Sequence, residues 1–461
     1  MQPKKSYNSG QFSLIASRLD TIINMQHELV LIAQHIEWEE LENHFAKFYS
    51  KFGRCGVNTR LMIGLHILKH IYNLSDEMVC KQYVVNPYYQ YFCGEEFFQH
   101  ELKMERSSMT HWRNRVGGES LTKLLQESLS VALKSKALKA RDLKRISVDT
   151  TVQEKAIQHP TEAVLHYKAI EKLSQEAKKH GINLRQSYIR VGKTAMIKVQ
   201  RYRHAKQMNR AKKSMNKLRT YLGRLLRDVH RKSDKMEGSL KEAWRKAYKI
   251  KTQKPRDKDK ILSWHAPEVE CISKGKNHKP YEFGCKVSVI STAHRSKGGQ
   301  FALGATALHD NPYDGHTLKA AIDEYEETTG VKTERIYVDK GYRGHDPSLK
   351  LYTYKSGQKR VSPAIKREMK RRSAIEPVIG HIKNDGRLGR NYLKGKSGDV
   401  INARLAAVGY NFRLLLKWFK LLYVYFYFKN FYSKILSNFR PKNFLSILSW
   451  RLVFNVGLVK K

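Results

Sequence analysis

Cysteine is scarce in this chain, and no cysteine spacing points to a bound metal or to a disulfide framework. Five cysteines occur in 461 residues, an odd number, and no CxxC pair or Cys/His pattern of zinc-site spacing is present. The sequence therefore excludes zinc-ribbon proteins and small disulfide-rich secreted proteins. The opening residues also lack the apolar run of a signal peptide. We expect reduced thiols in a cytoplasmic protein.

Acidic residues are also few for the length of the chain. The formal charge at pH 7 is +45, because 87 Lys and Arg stand against 42 Asp and Glu. Residues 190–260 hold 25 Lys and Arg against 6 Asp and Glu, and residues 384–461 hold 15 against 2. DNA, RNA or an acidic membrane surface would each satisfy this charge. Solvated helix faces explain any single lysine, but two concentrated zones favour nucleic acid.

Uncharged apolar runs long enough to span a membrane are missing as well. The aromatic and basic C-terminal stretch is interrupted by Lys417, Lys420 and Lys429 before it reaches the roughly 18 uncharged residues that a spanning helix needs. We predict a last packing helix followed by a tail, residues 416–461, and no stable membrane association. A helix lying in the membrane interface is the alternative interpretation.

The first predicted unit, residues 1–130, is helical and resembles a helix-turn-helix DNA-binding domain in its pattern. Apolar residues recur at helical spacing, with a break before Ser75, which is placed to cap the next helix. A basic helix follows in residues 104–118, where Arg113 and Arg115 are the candidate DNA contacts. Any helical bundle would give the same pattern, so both interpretations stay open at this point.

A long polar and basic block, residues 161–261, separates two parts of the predicted core. Its leucines and isoleucines form only a thin stripe, which predicts an antiparallel pair of helices with basic outer faces. Its last residues, 251–260, indicate a turn or linker. We therefore treat the block as a helical insertion.

Residues 140–160 and 262–415 are predicted to form an α/β core with mixed strand directions. The hydrophobic period changes there from helical to alternating. The predicted strands are 144–149, 281–292, 299–310, 334–339 and 359–365, and the predicted amphipathic helix is 314–330, closed by Gly330. Asp149 and Asp339 would both lie at strand ends, the usual edge for a site in an open α/β sheet.

Three acids stand where stability alone does not call for an acid. Asp149 and Asp339 each end an apolar strand-like run, and Glu376 lies in a cluster that is otherwise nearly all basic. Three convergent carboxylates suit Mg²⁺, which prefers oxygen ligands. Two such ions about 4 Å apart can activate a water or a 3′ hydroxyl and stabilise the leaving oxygen of a phosphodiester.

Each of these acids also has a local structural explanation. Asp149 could hydrogen-bond at a strand end, and Asp339 could shape the "DKGYRG" turn. Glu376 could complete a capping box with Ser373, since the two residues have the required spacing. The three positions as a set favour the metal site over these separate explanations.

Four blocks resemble a known family: "SVDTTVQEKAIQHPTEAVL", "HAPEVECISKGKNHKPYEFGCKVSV", "YVDKGYRGHD" and "RRSAIEPVIGHIKNDGRLGRNYLKG". They are similar to the DDE transposases of bacterial insertion sequences, in the group named after insertion sequence five, over about residues 10–415. The resemblance implies a ribonuclease-H-like mixed sheet with helices. It also implies that Asp149, Asp339 and Glu376 are catalytic and hold two Mg²⁺ ions, for which Mn²⁺ can substitute.

The wider family signature around the third acid is Tyr-x2-Arg-x3-Glu-x6-Lys. Arg372, Glu376 and Lys383 match it, whereas Met369 stands at the tyrosine position. The resemblance implies that Arg372 and Lys383 hold DNA phosphates near the metals, because arginine and lysine are suited to that task. Exposed surface charge is the alternative for both residues.

Two further polar stretches, "NHKPYEFG" and "HDNPYDGH", contain His278, Asp310, Asp314 and His316. The resemblance implies that these residues line the active-site strands. Turn chemistry explains the second stretch equally well. By the same resemblance, the helical insertion is expected to clamp flanking DNA or to cover the active site.

The sequence thus predicts a transposase that cuts DNA at the terminal inverted repeats of its element and joins the 3′ ends to target DNA. Its partner would be double-stranded DNA, bound as a homodimer or higher assembly in the bacterial cytoplasm, at the nucleoid. The alternatives are a nuclease without strand joining and a non-catalytic DNA-binding protein descended from a transposase. A membrane-surface or RNA-packaging protein explains the charge but not the three acid blocks.

Overall fold

The fold comes from a computed structural model, which describes residues 18–438 apart from 51, 54, 234–235, 255, 274–278 and 345. For residues 427 and 430–438 it describes the backbone alone. His278 and the part of the predicted tail from residue 439 onward lie outside the described residues.

The N-terminal region is helical, as predicted. Ser75 caps a helix as expected, since its Oγ accepts a hydrogen bond from the backbone N–H of Met78 at 3.1 Å. The basic helix leaves helical geometry at Gly117, where φ is 72° and ψ is 173°. The helices are α1 (Leu19–Ile22), α2 (Glu28–His35), α3 (Trp38–Ala46), α4 (Thr59–Ile71), α5 (Asp76–Val85), α6 (Pro87–Phe92), α7 (Ser107–Ser120) and α8 (Thr122–Lys134).

A mixed sheet follows, with strands in both directions as predicted. The long strand β3 pairs on one side with β1 and on the other with β2 and β4, all antiparallel. On its second side β1 pairs in parallel with β5, which pairs in parallel with β6. The strands are β1 (Arg145–Glu154), β2 (Glu270–Ser273), β3 (Tyr281–Thr292), β4 (Ala302–Leu308), β5 (Arg335–Val338) and β6 (Thr353–Lys355).

Two strand predictions need correction. The first strand does not end at Asp149 but continues to Glu154, because residues 150–154 remain paired with β3. The predicted strand 359–365 is wrong, since a helix begins at Pro363 after Ser362 caps it. Proline is favoured at the first helical position, where its missing N–H costs nothing.

The helical insertion contains four helices among its described residues rather than the predicted pair. They are α9 (Glu162–Lys179), α10 (Ile189–His204), α11 (Met208–Lys232) and α12 (Gly238–Thr252). Their apolar stripes form a core of their own, separate from the core that surrounds the sheet. The predicted linker at residues 251–260 is confirmed from residue 253 onward in its described part.

The C-terminal part completes the main core. Its helices are α13 (Asp314–Thr329), α14 (Pro363–Arg371), α15 (Ile375–Asn384) and α16 (Gly395–Asn438). Gly330 closes α13 in the left-handed conformation, as predicted. Side chains of α16 from Ile401 to Phe419 join one hydrophobic cluster with the N-terminal helices and the sheet. The predicted packing helix is therefore confirmed.

No helix within the described residues is long and apolar enough to cross a bilayer. The structure assigns none of the five cysteines to a disulfide.

Candidate active site

The guanidinium of Arg372 contacts all three acids that the sequence singles out. Its Nη1 lies 3.3 Å from Asp149 Oδ2, and its Nη2 lies 3.8 Å from Asp339 Oδ1 and 3.4 Å from Glu376 Oε1. The Arg372 side chain is only 11% exposed, whereas Asp339 and Glu376 are 52% and 64% exposed. The fold thus gathers the acids around one nearly buried cation, with two of them open to solvent.

The parallel pairing of β1 with β5 brings the two aspartates to the same place. Its last pair joins Ser147 to Tyr337, so Asp149 and Asp339 both lie two residues beyond it. Asp149 is still paired with Val289 on the β3 side, which fixes its backbone. Asp339 comes directly after the last residue of β5, so it is not part of the strand pairing.

A break between α14 and α15 places Arg372 beside Glu376. A 3₁₀ turn begins at Arg372 and separates the two helices. Pro377 explains the break, because it has no N–H to bond the carbonyl of Ser373 and its ring would crowd that carbonyl. The N-cap residue of α15 is Ala374, and no side chain caps the helix. The capping-box interpretation of Glu376 is therefore wrong.

The carboxylate oxygens of the site suit a hard cation, but the three carboxylates lie too far apart to bind one together. Among the described residues, no group of three or more His, Cys, Asp or Glu stands close enough to hold a metal ion. Instead, the Arg372 guanidinium separates the three carboxylates. Carboxylate oxygens are the ligands that Mg²⁺ prefers. Direct coordination by all three would require Arg372 to withdraw and the acids to approach one another.

A fourth carboxylate, Asp314, borders the site from the first turn of α13. Its Oδ1 accepts hydrogen bonds from Thr150 Oγ1 at 3.1 Å and from Lys286 Nζ at 3.0 Å. Burial, followed by the negative charges of Asp149 and Asp314, raises the pKa of Tyr342 well above its ordinary value. The Tyr342 hydroxyl therefore stays protonated beside the acids at neutral pH.

The neighbouring loop residues do not join this group. The Asp310 side chain is 88% exposed and lies 3.8 Å from Lys396, away from the three acids. His316 is exposed and packs edge-on against Tyr313, with ring centroids 5.5 Å apart. Of the described polar residues in "HDNPYDGH", Asp314 alone reaches the site.

Sequence reasoning passed over Glu368, a buried acid on α14. Its carboxylate accepts hydrogen bonds from Arg145 at 2.8 Å, from Arg335 at 2.9 Å and from the Tyr337 hydroxyl. Although burial opposes it, the bonds from Tyr337 and Arg335 lower the pKa of Glu368. Glu368 therefore ties α14 to the beginnings of β1 and β5 and supports the position of Arg372. Its isolation among basic residues was the available signal, the same one that Glu376 gives.

Arg113 lies inside the N-terminal helices rather than on a DNA-facing surface. Its side chain is 3% exposed and forms a two-pronged contact with Asp76, at 3.0 and 2.7 Å. The same guanidinium lies 3.2 Å from His66 Nε2 and donates to Thr110 Oγ1. With its donors used internally, Arg113 stabilises the packing of α7 against α4 and α5.

The remaining predicted DNA contacts are more accessible. Arg115 is exposed, and its guanidinium lies over the Tyr49 ring, 5.4 Å from the centroid. Lys383 is half-buried on α15, two turns after Glu376 and on the same face of the helix. Arg372 thus lies among the three acids, Lys383 lies on the α15 face that carries Glu376, and Arg115 lies on α7.

Comparison with known proteins gives two matches. Residues 17–115 match the family described as "Transposase domain (DUF772)". Over 207 residues, 45% of this chain, the sequence is 48% identical to the full length of a Rhizobium meliloti protein described as "Uncharacterized protein ORF8 in nfe locus". No solved structure matches the chain. The chain therefore belongs to the family of that ORF8 protein.

Proposed function

We propose that this protein is a DDE transposase of the group named after insertion sequence five. It would cut DNA at the ends of its element and join the 3′ ends to target DNA. The observation that carries the proposal is the meeting of Asp149, Asp339 and Glu376 at the Arg372 guanidinium. The transposase domain in residues 17–115 supports it independently.

The order of the sheet supports a ribonuclease-H-like core, which is part of this proposal. Three antiparallel strands, β1, β3 and β4, are followed by the helix α13 and then by two strands parallel to β1. The insertion leaves the core after β1 and returns before β2. In this layout, Asp149 lies in β1 and Asp339 directly follows the neighbouring strand β5.

Asp149, Asp339 and Glu376 are the residues that would hold two Mg²⁺ ions, with Mn²⁺ as a substitute. When bound, the ions would supply activation of a water or 3′ hydroxyl and charge stabilisation at the leaving oxygen. The three carboxylates already surround one cation, the Arg372 guanidinium, which supports the proposal that this site binds metal cations. The exposure of Asp339 and Glu376 leaves the approach open to a DNA strand.

Arg372 and Lys383 would bind the phosphates next to the scissile bond. A guanidinium can donate two parallel hydrogen bonds to a phosphate, whereas a lysine acts as a mobile point charge. Arg372 would exchange its carboxylate partners for phosphate oxygens as DNA enters. Glu368 would keep α14 in place during that exchange through its bonds to Arg145 and Arg335.

Plasmid cleavage tests the proposal. The substrate would carry the gene for this chain with its flanking DNA, and the full chain would be incubated with Mg²⁺ or with EDTA. We expect cuts at the ends of the element with Mg²⁺ and none with EDTA. Asp339→Asn should lower the cutting rate by at least about a hundredfold, because the site loses a charge on which the reaction depends.

Asp310→Asn is the matched control, since Asp310 is an exposed aspartate outside the acid cluster. It should cut at the rate of the unmodified chain. Cuts scattered over the plasmid would favour a nuclease, and binding to the ends without cutting would favour a non-catalytic DNA-binding protein. Equal rates for Asp339→Asn and the unmodified chain would remove Asp339 from the mechanism.

A further inference from the structure

The helix α11 carries a row of cations along one face. Arginine and lysine recur at intervals of three and four residues, interrupted once by a threonine. The members are Arg210, Lys213, Lys217, Thr220, Arg224, Arg227 and Arg231, and we call this set the α11 stripe. All seven side chains are exposed.

The spacing gathers these residues onto a narrow face. With 3.6 residues per turn, alternating steps of three and four keep all seven members within an arc of about 100° around the axis. The stripe spans 21 steps along a continuous helix, or about 32 Å at 1.5 Å per residue. The result is a straight ridge of six cations.

The opposite face of α11 fixes the ridge in place. Leu218, Leu222 and Leu225 are fully buried in the core of the insertion, packed with residues of α9 and α12. The helix therefore cannot rotate the stripe inward without exposing that core. The same burial argues against a membrane partner, because an interfacial helix needs an accessible apolar face beside its cations.

Few acids neutralise the stripe. Among the described residues, one carboxylate lies within 4 Å of a stripe cation, where Asp228 is 3.7 Å from Arg231. Asp228 also holds Lys232 at 3.3 Å. Arg219, which lies off the stripe, is the α11 arginine that pairs with Glu162 of α9. Among the described residues, the five stripe cations from Arg210 to Arg227 thus have no carboxylate within 4 Å and can bind an external anion.

We propose that the α11 stripe binds the sugar-phosphate backbone of double-stranded DNA outside the active site. This inference rests on the proposed function, which supplies DNA as the substrate. The ridge is about as long as one turn of B-DNA, roughly 34–36 Å. Neutralising each phosphate releases counterions, so a row of unpaired cations binds DNA without reading its sequence.

The salt dependence of binding tests the stripe directly. The substitution set Arg210→Gln, Lys213→Gln, Lys217→Gln and Arg224→Gln removes four charges while leaving the buried face intact. The full chain would be titrated with a duplex of the element end in EDTA, so that no cutting occurs. The slope of log affinity against log salt should become shallower by about 3 to 4, since each lost phosphate contact removes about 0.9.

A matched control removes the same charge from other faces of the insertion. Lys178→Gln, Lys241→Gln, Arg245→Gln and Lys249→Gln alter exposed cations on α9 and α12. We expect this variant to change the slope by less than about 1. If the fourfold stripe variant fails to fold, the pairs Arg210→Gln with Lys217→Gln and Lys213→Gln with Arg224→Gln should each give about half the effect.

The outcomes separate this inference from the proposed function. An unchanged slope in a folded stripe variant overturns the stripe, and so does an equal change in the control. Tighter binding of the unmodified chain to an RNA duplex than to DNA overturns the choice of partner. Failure of the unmodified chain to bind DNA at all would instead count against the proposed function.

Discussion

At the scale of single residues, two nearly buried arginines serve different ends. The Arg113 guanidinium binds one carboxylate, Asp76, and its other contacts are with His66 Nε2 and Thr110 Oγ1. Arg372 faces three carboxylates, two of them exposed. Asp76 also binds Lys69 at 2.8 Å, so the Arg113 cluster holds two cations and one carboxylate, whereas the Arg372 group holds one cation and three carboxylates. The first environment stabilises a fold, and the second suits a site that receives cations.

The Asp76 pair predicts a pH-dependent loss of stability. Although burial opposes it, the hydrogen bonds and charges of Arg113 and Lys69 lower the pKa of Asp76. Asp76→Asn should reduce the free energy of unfolding at pH 7 by about 3 kcal/mol, because it leaves Arg113 buried without its counter-charge. Chemical denaturation of both chains at a series of pH values would measure this difference.

The sign follows from the lowered pKa in the folded state. The stabilisation is present above the unfolded carboxyl pKa of about 3.9 and is lost as pH falls through the folded value. The difference between the two chains should therefore shrink below about pH 4. Asp20→Asn is the control, since Asp20 pairs with Arg18 near the surface and should cost less than about 1 kcal/mol. A constant difference across all pH values would contradict the assignment.

The sequence predicted part of the site, and particular residues show what sequence patterns could not predict. The isolation of an acid among basic residues drew attention to Glu376, but Glu368 has the same surroundings in sequence. Only the fold separates them, because Glu368 is buried against Arg145 and Arg335 while Glu376 is exposed. Likewise, nothing in the sequence tells that Arg113 points inward. Burial depends on contacts between distant segments, which local patterns do not contain.

At the scale of elements, periodicity predicted most helices and strands, and turns were the weaker part. The strand over residues 281–292 and the helix closed by Gly330 match the structure because their patterns are strong and their ends are marked. In the insertion, one helix break follows from Gly181, but another occurs at Lys206, which has a φ of 55°. Lysine is no turn signal, so the second break was not predictable.

Two glycines in helices predict opposite effects of the same substitution. An added Cβ at Gly409 would lie 2.6 Å from the backbone of His70, where α16 crosses α4, whereas nothing lies within 4 Å of the equivalent position at Gly380 in α15. Gly409→Ala should lower the free energy of unfolding by about 1–3 kcal/mol through overpacking. Gly380→Ala should raise it by about 0.5–1 kcal/mol, since alanine favours helix.

Thermal and denaturant unfolding of the two variants side by side would check this pair. Each variant serves as the control for the other, because both add one methyl group to a helix. Equal effects of the same sign would mean that the close contact of α16 with α4 is not maintained in solution.

At the scale of the whole molecule, the first part of α16 is the element that unites the main core. Leu405, Val408 and Phe412 are fully buried, and this segment packs against α4, α7, α8 and β4. The same cluster contains the N-terminal helices and the sheet, while the insertion has a core of its own. The chain therefore combines one large core, which sets the active site, with a separately packed basic appendage.

The exposed end of α16 gives the last prediction. Among the described side chains of α16, Leu422 is the last that packs against the main core. Those described after it, from Tyr423 to Phe428, are exposed and mostly apolar. A chain ending at Leu422 should keep its melting temperature within about 2 °C, because no described member of the main core is removed. It should also self-associate less, since an exposed apolar patch promotes association. Calorimetry and sedimentation would measure both properties.

A chain ending at Ala403 is the contrasting variant. It loses Leu405, Val408 and Phe412 from the core and should fail to fold. If the chain ending at Leu422 also unfolded, the residues beyond it would have to stabilise the core, contrary to their exposure.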